Sequence, residues 1–155
     1  MGFLDRERAL VRTFFPTFEW VVNDVPSRRN RLRVPLARAR VGLVSTAGAY
    51  VRGQARFSTG DAGDASFREV GWDEPVRFAH SGYDTRRAYR DAEVVVPRGT
   101  LDRLAVDGAI GTVPTRFFSL MGYIPDSRPL LEETGPRVAA ELRADAVDLV
   151  LLVPA

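Results

Sequence analysis

The 155-residue chain has no cysteine, no lysine and a single histidine, His80. Without cysteine these residues form no disulfide and offer no thiol for redox, nucleophilic or metal-binding chemistry. One histidine excludes a multi-histidine metal centre, and the carboxylates follow no ligand spacing that would replace one. No apolar run approaches the roughly 20 residues that span a bilayer. No secretory leader is expected either, because Phe3-Leu4, Ala9 to Val11 and Phe14-Phe15 are separated by Asp5, Arg6, Glu7, Arg8 and Arg12. Neither a G-x-G-x-x-G nor a Walker pattern occurs, so nucleotide binding is unsupported. These absences predict a cytoplasmic protein with no membrane association and no metal.

What is present is the composition of a folded domain: 45% of residues are hydrophobic and 27% charged. All 22 basic residues are arginine, yet the net charge is only +2, which calls for no polyanionic partner. A local cluster, Arg28, Arg29, Arg31, Arg33, Arg38 and Arg40, lacks interleaved aromatics and any nucleic-acid motif, and is read as a solvated linker. Residues 1–34 are therefore taken as an N-terminal helical segment with an Arg-rich linker, and residues 35–155 as the main domain.

Along the chain, Phe3 to Phe15 predicts a moderately amphipathic helix ended by Pro16, and Phe18 to Val22 a second helical piece that adds Trp20 to the same apolar face. Val41 to Ser45 predicts a strand. The Thr46-Ala47-Gly48 that follows is a place where backbone amides can hold an anion, or simply a tight turn. Tyr50 to Asp64 reads as a surface loop, and Ser66 to Val70 as a short strand. His80 lies close to Tyr83 and Asp84, as an acid–base group near neutral pH or as a structural histidine. Glu93 to Val96 is expected to be a strand, followed by a helix from Thr100 with Gly99 or Thr100 as N-cap and Gly108 as its stop. Ile110 to Val113 is expected as a further short strand, Arg116 to Tyr123 as an apolar loop, and Leu130 to Ala144 as the last helix. The run Ala146 to Ala155 reads as a strand buried on both faces of a parallel sheet. The predicted fold is α/β: an open, mostly parallel sheet with helices on both faces, preceded by the N-terminal helical segment. Val41–Ser45, Glu93–Val96 and Val147–Val153 are expected to neighbour one another. In such sheets ligands bind beyond the carboxyl ends of the strands, here just past Ala155.

Several stretches carry a resemblance. VGLVSTAG from Val41, DASFREV from Asp64, Tyr83-Asp84 with Val94 to Pro97 and Leu101-Asp102-Arg103-Leu104, GAIGTV from Gly108, Arg116 with Ser119, Met121 and Gly122, Glu133-Thr134 with Pro136, and VDLVLLVP from Val147 together resemble the glycine/betaine/sarcosine/D-proline reductase family, selenoprotein B subunit. The resemblance implies an oxidoreductase subunit acting on a small amino acid or related compound, with other reductase subunits or a dithiol reductant as partners. It also implies a selenocysteine just after Ala155, followed by a cysteine. Since the selenocysteine codon UGA is ordinarily a stop, the expectation is a domain truncated at its carboxyl end, without its redox centre and inactive alone. No cofactor is expected on these residues and no catalytic side chain is assigned among them. Substrate-binding candidates at the strand ends are Ser45, Thr46, Tyr83, Asp84, Arg116 and Ser119. Arg116 is the candidate carboxylate partner, with a structural ion pair as the alternative. The chain departs from the family pattern at Thr85 and Phe117, where the resemblance leads one to expect histidines. From a different functional class, the alternative is a small non-catalytic α/β binding or assembly module.

Overall fold

The computed structural model describes residues 9, 10, 12, 13 and 30–155. Two compact units divide the chain, Met1–Asn30 and Arg31–Ala155. In the first, residues 9, 10, 12 and 13 are helical, within the helix expected over Phe3 to Phe15. The rest of that helix and the piece from Phe18 to Val22 lie outside the described residues. Of the arginine cluster, Arg31, Arg33 and Arg38 are exposed and Arg40 is half-buried, while Arg28 and Arg29 lie outside the described residues.

The second unit is built on a four-stranded sheet in the order β3-β5-β1-β6, formed by β1 (Val41–Ser45), β3 (Phe67–Gly71), β5 (Arg116–Leu120) and β6 (Leu149–Val153). β1 is parallel to both neighbours, pairing Val44 with Phe118 of β5 and Val41 to Ser45 with Leu149 to Val153 of β6. β3 runs antiparallel to β5, from Phe67 opposite Leu120 to Gly71 opposite Arg116. β2 (Ala49–Tyr50) and β4 (Arg77–Phe78) form a second, two-stranded antiparallel sheet, tied to the first by Ala49 N, which donates to Ser119 Oγ of β5. The helices are α1 (Thr85–Arg90), α2 (Arg98–Val106) and α3 (Gly135–Ala144), the last entered through a π-turn over Leu130–Thr134. The result is the expected α/β architecture, a mixed sheet with mostly parallel strands.

All five residues of β1 are buried, because helices cover both faces. Val41 and Leu43 pack with Val70, Phe117, Val96 and Leu101 of α2. Val44 and Phe118, pointing the other way, pack with Val138 and Leu142 of α3. This period-two division is what strand geometry demands of a central strand.

Five expectations are corrected. Glu93 to Val96 is not a strand: Ala92–Val94 is a 3₁₀ turn, and the amides of Val95 and Val96 both donate to Ala92 O. The Glu93 carboxylate instead accepts from the amides of Gly99 and Thr100, both at 2.8 Å. It therefore caps α2, whose N-cap is Pro97, and the two residues expected to cap are the ones being capped. Ile110 to Val113 contributes only a single bridge, Thr112 to Arg40. Arg116 to Tyr123 is no loop, since its first five residues are β5. Finally, β6 is an edge strand, with Leu152 69% exposed and Leu149 and Leu151 also exposed. The α2 helix does stop at Gly108, whose φ of +72° is open to glycine without strain.

Candidate functional site

Three parallel strands end side by side. Thr46 N donates to Val153 O at 3.0 Å and Gly48 N to Leu120 O at 2.8 Å, which ties the ends of β1, β5 and β6 together. Within that tie the hydroxyls differ. Ser45 Oγ donates to Val95 O at 2.7 Å and Ser119 Oγ accepts from Ala49 N at 2.7 Å, both wholly buried. They fasten loops to the core and have no access to a ligand. Thr46 Oγ1, by contrast, accepts from Ala155 N at 2.9 Å and holds the segment beyond β6. Gly48 completes the turn with φ +64°, and a Cβ there would lie 2.0 Å from Ala79 O. Only glycine lets the segment from Ala79 to Asp84 lie so close to the strand ends.

That segment brings His80, Tyr83 and Asp84. Tyr83 donates from its hydroxyl to Ala47 O at 3.0 Å, and its ring lies 4.6 Å from that of His80, tilted by 48°. Burial, helped by the charge of Tyr89, pushes the Tyr83 hydroxyl up to about 12, so it stays protonated at neutral pH. Asp84 caps α1 by accepting from Arg86 N at 3.1 Å, and the same carboxylate binds the Arg86 guanidinium. These Arg86 bonds hold its pKa below the ordinary carboxylate value. His80 receives the amide of Gly82 at Nδ1 (2.8 Å) and that of Gly122 at Nε2 (3.2 Å). Burial lowers its pKa below the usual histidine value.

Beside these residues opens a cavity of about 470 Å³ lined by Tyr83, Asp84, Arg87, Ala88, Val94, Val95 and Ala155. Ala88, Val94 and Val95 give it apolar side chains, and Tyr83, Asp84 and Arg87 polar ones. Arg87 is exposed, and its guanidinium makes no hydrogen bond or ion pair among the described residues. Among those residues no three His, Asp or Glu side chains gather where they could hold a metal.

The structure separates Arg116 from this group. It opens β5 at the amino end of the sheet, where Nε and Nη2 bind Asp145 at 2.7 and 3.0 Å, Nη2 binds Glu141 at 2.8 Å and Nη1 binds Glu69 at 2.7 Å. Hydrogen bonds that it donates to Asp145 first, then to Glu69 and Glu141, raise its pKa still further against the opposing effect of burial. All three nitrogens of the guanidinium fork are engaged, by Glu69 of β3, Glu141 of α3 and Asp145 at the carboxyl end of α3.

Compared with known proteins, residues 68–155 match the glycine/sarcosine/betaine reductase selenoprotein B family. The chain belongs to that family. It is 35% identical over 115 residues to the D-proline reductase subunit gamma of Acetoanaerobium sticklandii, a match covering 72% of this chain and 47% of that protein. It is 28% identical over 124 residues to the glycine reductase complex component B subunit gamma of Carboxydothermus hydrogenoformans, covering 76% of this chain and 28% of that protein. Both relatives are thus subunits of reductases, and the chain spans about half the length of the first and about a quarter of the second. No solved structure matches. The family region begins in β3 and runs through β6, so it contains His80, Tyr83, Asp84, Arg87 and Ala155 but not β1.

Of the candidates for this family's site, Thr46, Tyr83 and Asp84 come together near Ala155, Ser45 and Ser119 lie beneath them in the core, and Arg116 sits at the other end. The two departures from the family pattern fall in different places. Phe117 is fully buried against Trp72, with ring centroids 6.5 Å apart, so it belongs to the core. Thr85 is the first residue of α1, directly after Asp84. Sequence reasoning passed over Arg87, took Gly122 only as part of the family resemblance, and left His80 without a partner. His80 alone carried a signal, as the single histidine three residues before Tyr83. Its contact with Gly122 spans 42 residues of chain and has no local signature.

Proposed function

We propose that this chain is a subunit of a selenol- or thiol-dependent reductase that acts on a small amino acid or related compound, and that the substrate binds in the cavity beside Ala155. Family membership and the names of the two relatives support the reaction class. The observation that carries the site is the position of Arg87, an exposed guanidinium that lines the cavity near Asp84, beside the gathered carboxyl ends of β1, β5 and β6. That is where ligands bind in parallel α/β sheets.

In this reading Arg87 takes the role first assigned to Arg116, pairing its fork with the substrate carboxylate. Asp84, held anionic by Arg86, faces the substrate's ammonium or methylated nitrogen. Ala88, Val94 and Val95 face its hydrocarbon part. Thr46 holds the backbone at Ala155, and the Tyr83 hydroxyl, bound to Ala47 O, fixes the wall without taking a proton. The 155 residues contain no cysteine, so the redox group is supplied from outside them. A selenol or thiol beside Ala155 would contribute the nucleophile and the reversible two-electron exchange, and other reductase subunits or a dithiol would return the electrons.

The test is calorimetric titration of the chain with glycine, sarcosine, betaine and D-proline, repeated with Arg87→Met. Binding of at least one of them, weakened about tenfold or more in the variant, is the expected result, since a carboxylate pair of this kind is worth at least about 1.4 kcal/mol. If none binds, the weight passes to the second reading, a non-catalytic assembly module, which the exposed Leu149–Leu152 edge of β6 favours.

A further inference from the structure

Among the described residues β6 has one neighbouring strand, β1, and on its other side the sheet stops. Edge strands are ordinarily kept from further pairing by a charged residue, a proline or a bulge. The run Leu149-Val150-Leu151-Leu152-Val153 has no charge and no proline, and its register with β1 is unbroken over all five residues, which leaves no bulge. Asp148 and Pro154 only bracket it, and the Asp148 carboxylate is committed to Arg40 N at 2.9 Å. Leu149, Leu151 and Leu152 are exposed by 40, 38 and 69%. They lie on both faces of the strand, since side chains alternate along it.

The backbone decides what fits this edge. Leu149 N donates to Arg40 O, and Val153 O accepts from Thr46 N. A strand directs the backbone groups of alternate residues to the same side, so Leu149, Leu151 and Val153 face β1. The N–H and C=O groups of Val150 and Leu152 therefore point away from the sheet. A second β6 laid antiparallel and centred on Leu151 matches them: Val150 meets the partner's Leu152, Leu152 meets the partner's Val150, and each pair exchanges both N–H···O bonds. Leu151 then faces the partner's Leu151, and Leu149 faces the partner's Val153, so every opposed pair is apolar. Sliding the second strand by two residues sets Val150 against a proline, which has no N–H to give, or Leu152 against an aspartate. The centred register is the one that satisfies both the hydrogen bonds and the side chains.

We propose that the free edge of β6 pairs antiparallel with β6 of a second copy of this chain, about a two-fold axis at Leu151, so that one sheet runs through both copies. A two-fold contact must be self-complementary, and this strand is so in its outward N–H and C=O groups and in its side chains alike. The axis stands perpendicular to the sheet, which keeps α2 of each copy on one face and α3 of each on the other. Pairing ends at Val153, so Thr46, Ala155 and the cavity beside them stay outside it. The inference is independent of what that cavity binds.

The experiment reads both the association and its register, using the full chain. Sedimentation of the wild type at increasing concentration should show monomer passing into dimer. Because the chain has no cysteine, Leu151→Cys introduces a single thiol. Residues opposed in a non-hydrogen-bonded antiparallel pair lie about 4.5 Å apart at Cα, within the roughly 4.4–6.8 Å that a disulfide spans. Under mild oxidation Leu151→Cys should form a linked dimer, whereas Leu149→Cys and Val153→Cys should link poorly alone and to each other when mixed. Leu152→Pro removes an outward N–H and no bond to β1, so it should stay monomeric with a melting temperature near that of the wild type. If the proline variant melts early, Leu152→Lys, which keeps the N–H, takes its place and should lower the dimer fraction. A wild type that is monomeric at every concentration overturns the proposal and leaves the edge to a strand of another protein. A dimer in which Leu149→Cys or Val153→Cys links alone faster than Leu151→Cys overturns it as well.

Discussion

Replacing Arg116 with alanine should destabilise the fold without touching ligand binding. The side chain is 21% exposed and joins Glu69 on β3 to Glu141 on α3 and to Asp145 just after it, so it fastens the antiparallel edge of the sheet to the helix that covers it. The Asp145 pair is bidentate and the least exposed, with 20% of that side chain accessible, whereas Glu69 and Glu141 are 50% and 44% accessible. Exposed pairs contribute roughly 0.2–1 kcal/mol each, and a charge-assisted bond in a more protected position roughly 1.5–3 kcal/mol. Removal also leaves three carboxylates crowded without a cation and takes away the guanidinium 5.4 Å from the Phe118 ring. A loss of about 3 kcal/mol follows, equivalent to a fall in Tm of about 10 °C for a unit of this size. Urea unfolding at low and high salt measures it, and the gap between wild type and variant should narrow as salt screens the network. Arg116→Lys should lose less, because it keeps the charge and forfeits only the fork. A loss below about 1 kcal/mol together with abolished amino-acid binding would refute this reasoning and return Arg116 to a substrate role.

The Glu93 carboxylate is desolvated, which alone would raise its pKa, but the amides of Gly99 and Thr100, the Thr100 hydroxyl and Arg103 outweigh this and hold it below the ordinary 4.5. A lowered folded pKa contributes stability above the unfolded value that is lost as pH falls through the folded one. Glu93→Gln should therefore melt earlier than wild type near neutral pH, with the difference shrinking below about pH 4.5; a constant difference across that range would contradict the cap. Gly48→Ala adds a Cβ 2.0 Å from Ala79 O at φ +64° and should cost at least about 3 kcal/mol, and a denaturation midpoint close to wild type would show that the turn yields easily. Leu152 is 69% exposed on an edge strand, so Leu152→Lys should reduce self-association in sedimentation experiments. Identical sedimentation of the two proteins would mean that β6 is not the sticking surface.

The apolar runs Val41–Ser45 and Leu149–Val153, with helical stretches between them, determined by themselves that this is an α/β protein with parallel strands, whereas only the sheet order decided that the first run is covered and the second is left on an exposed edge. The glycine at 108 and the apolar spacing from Leu130 to Leu142 likewise determined where helices stop and which face they bury. The tertiary structure alone decided the rest. Phe117 to Leu120 is a short apolar run that local pattern cannot assign, and only pairing on both sides, with β1 and β3, makes it a strand. Glu93 to Val96 has strand-like residues, but Pro97 cannot donate to a ladder and the Glu93 side chain finds the open end of α2 instead. Arg116 and Arg87 are chemically alike. Which of them meets carboxylates of the fold and which stands at a cavity depends on the direction of β5 in the sheet, and that direction is written in no neighbouring residue. His80 meets Gly122 for the same reason, because hydrogen bonds across 42 residues are set by how strands are ordered and not by what precedes or follows them in the chain.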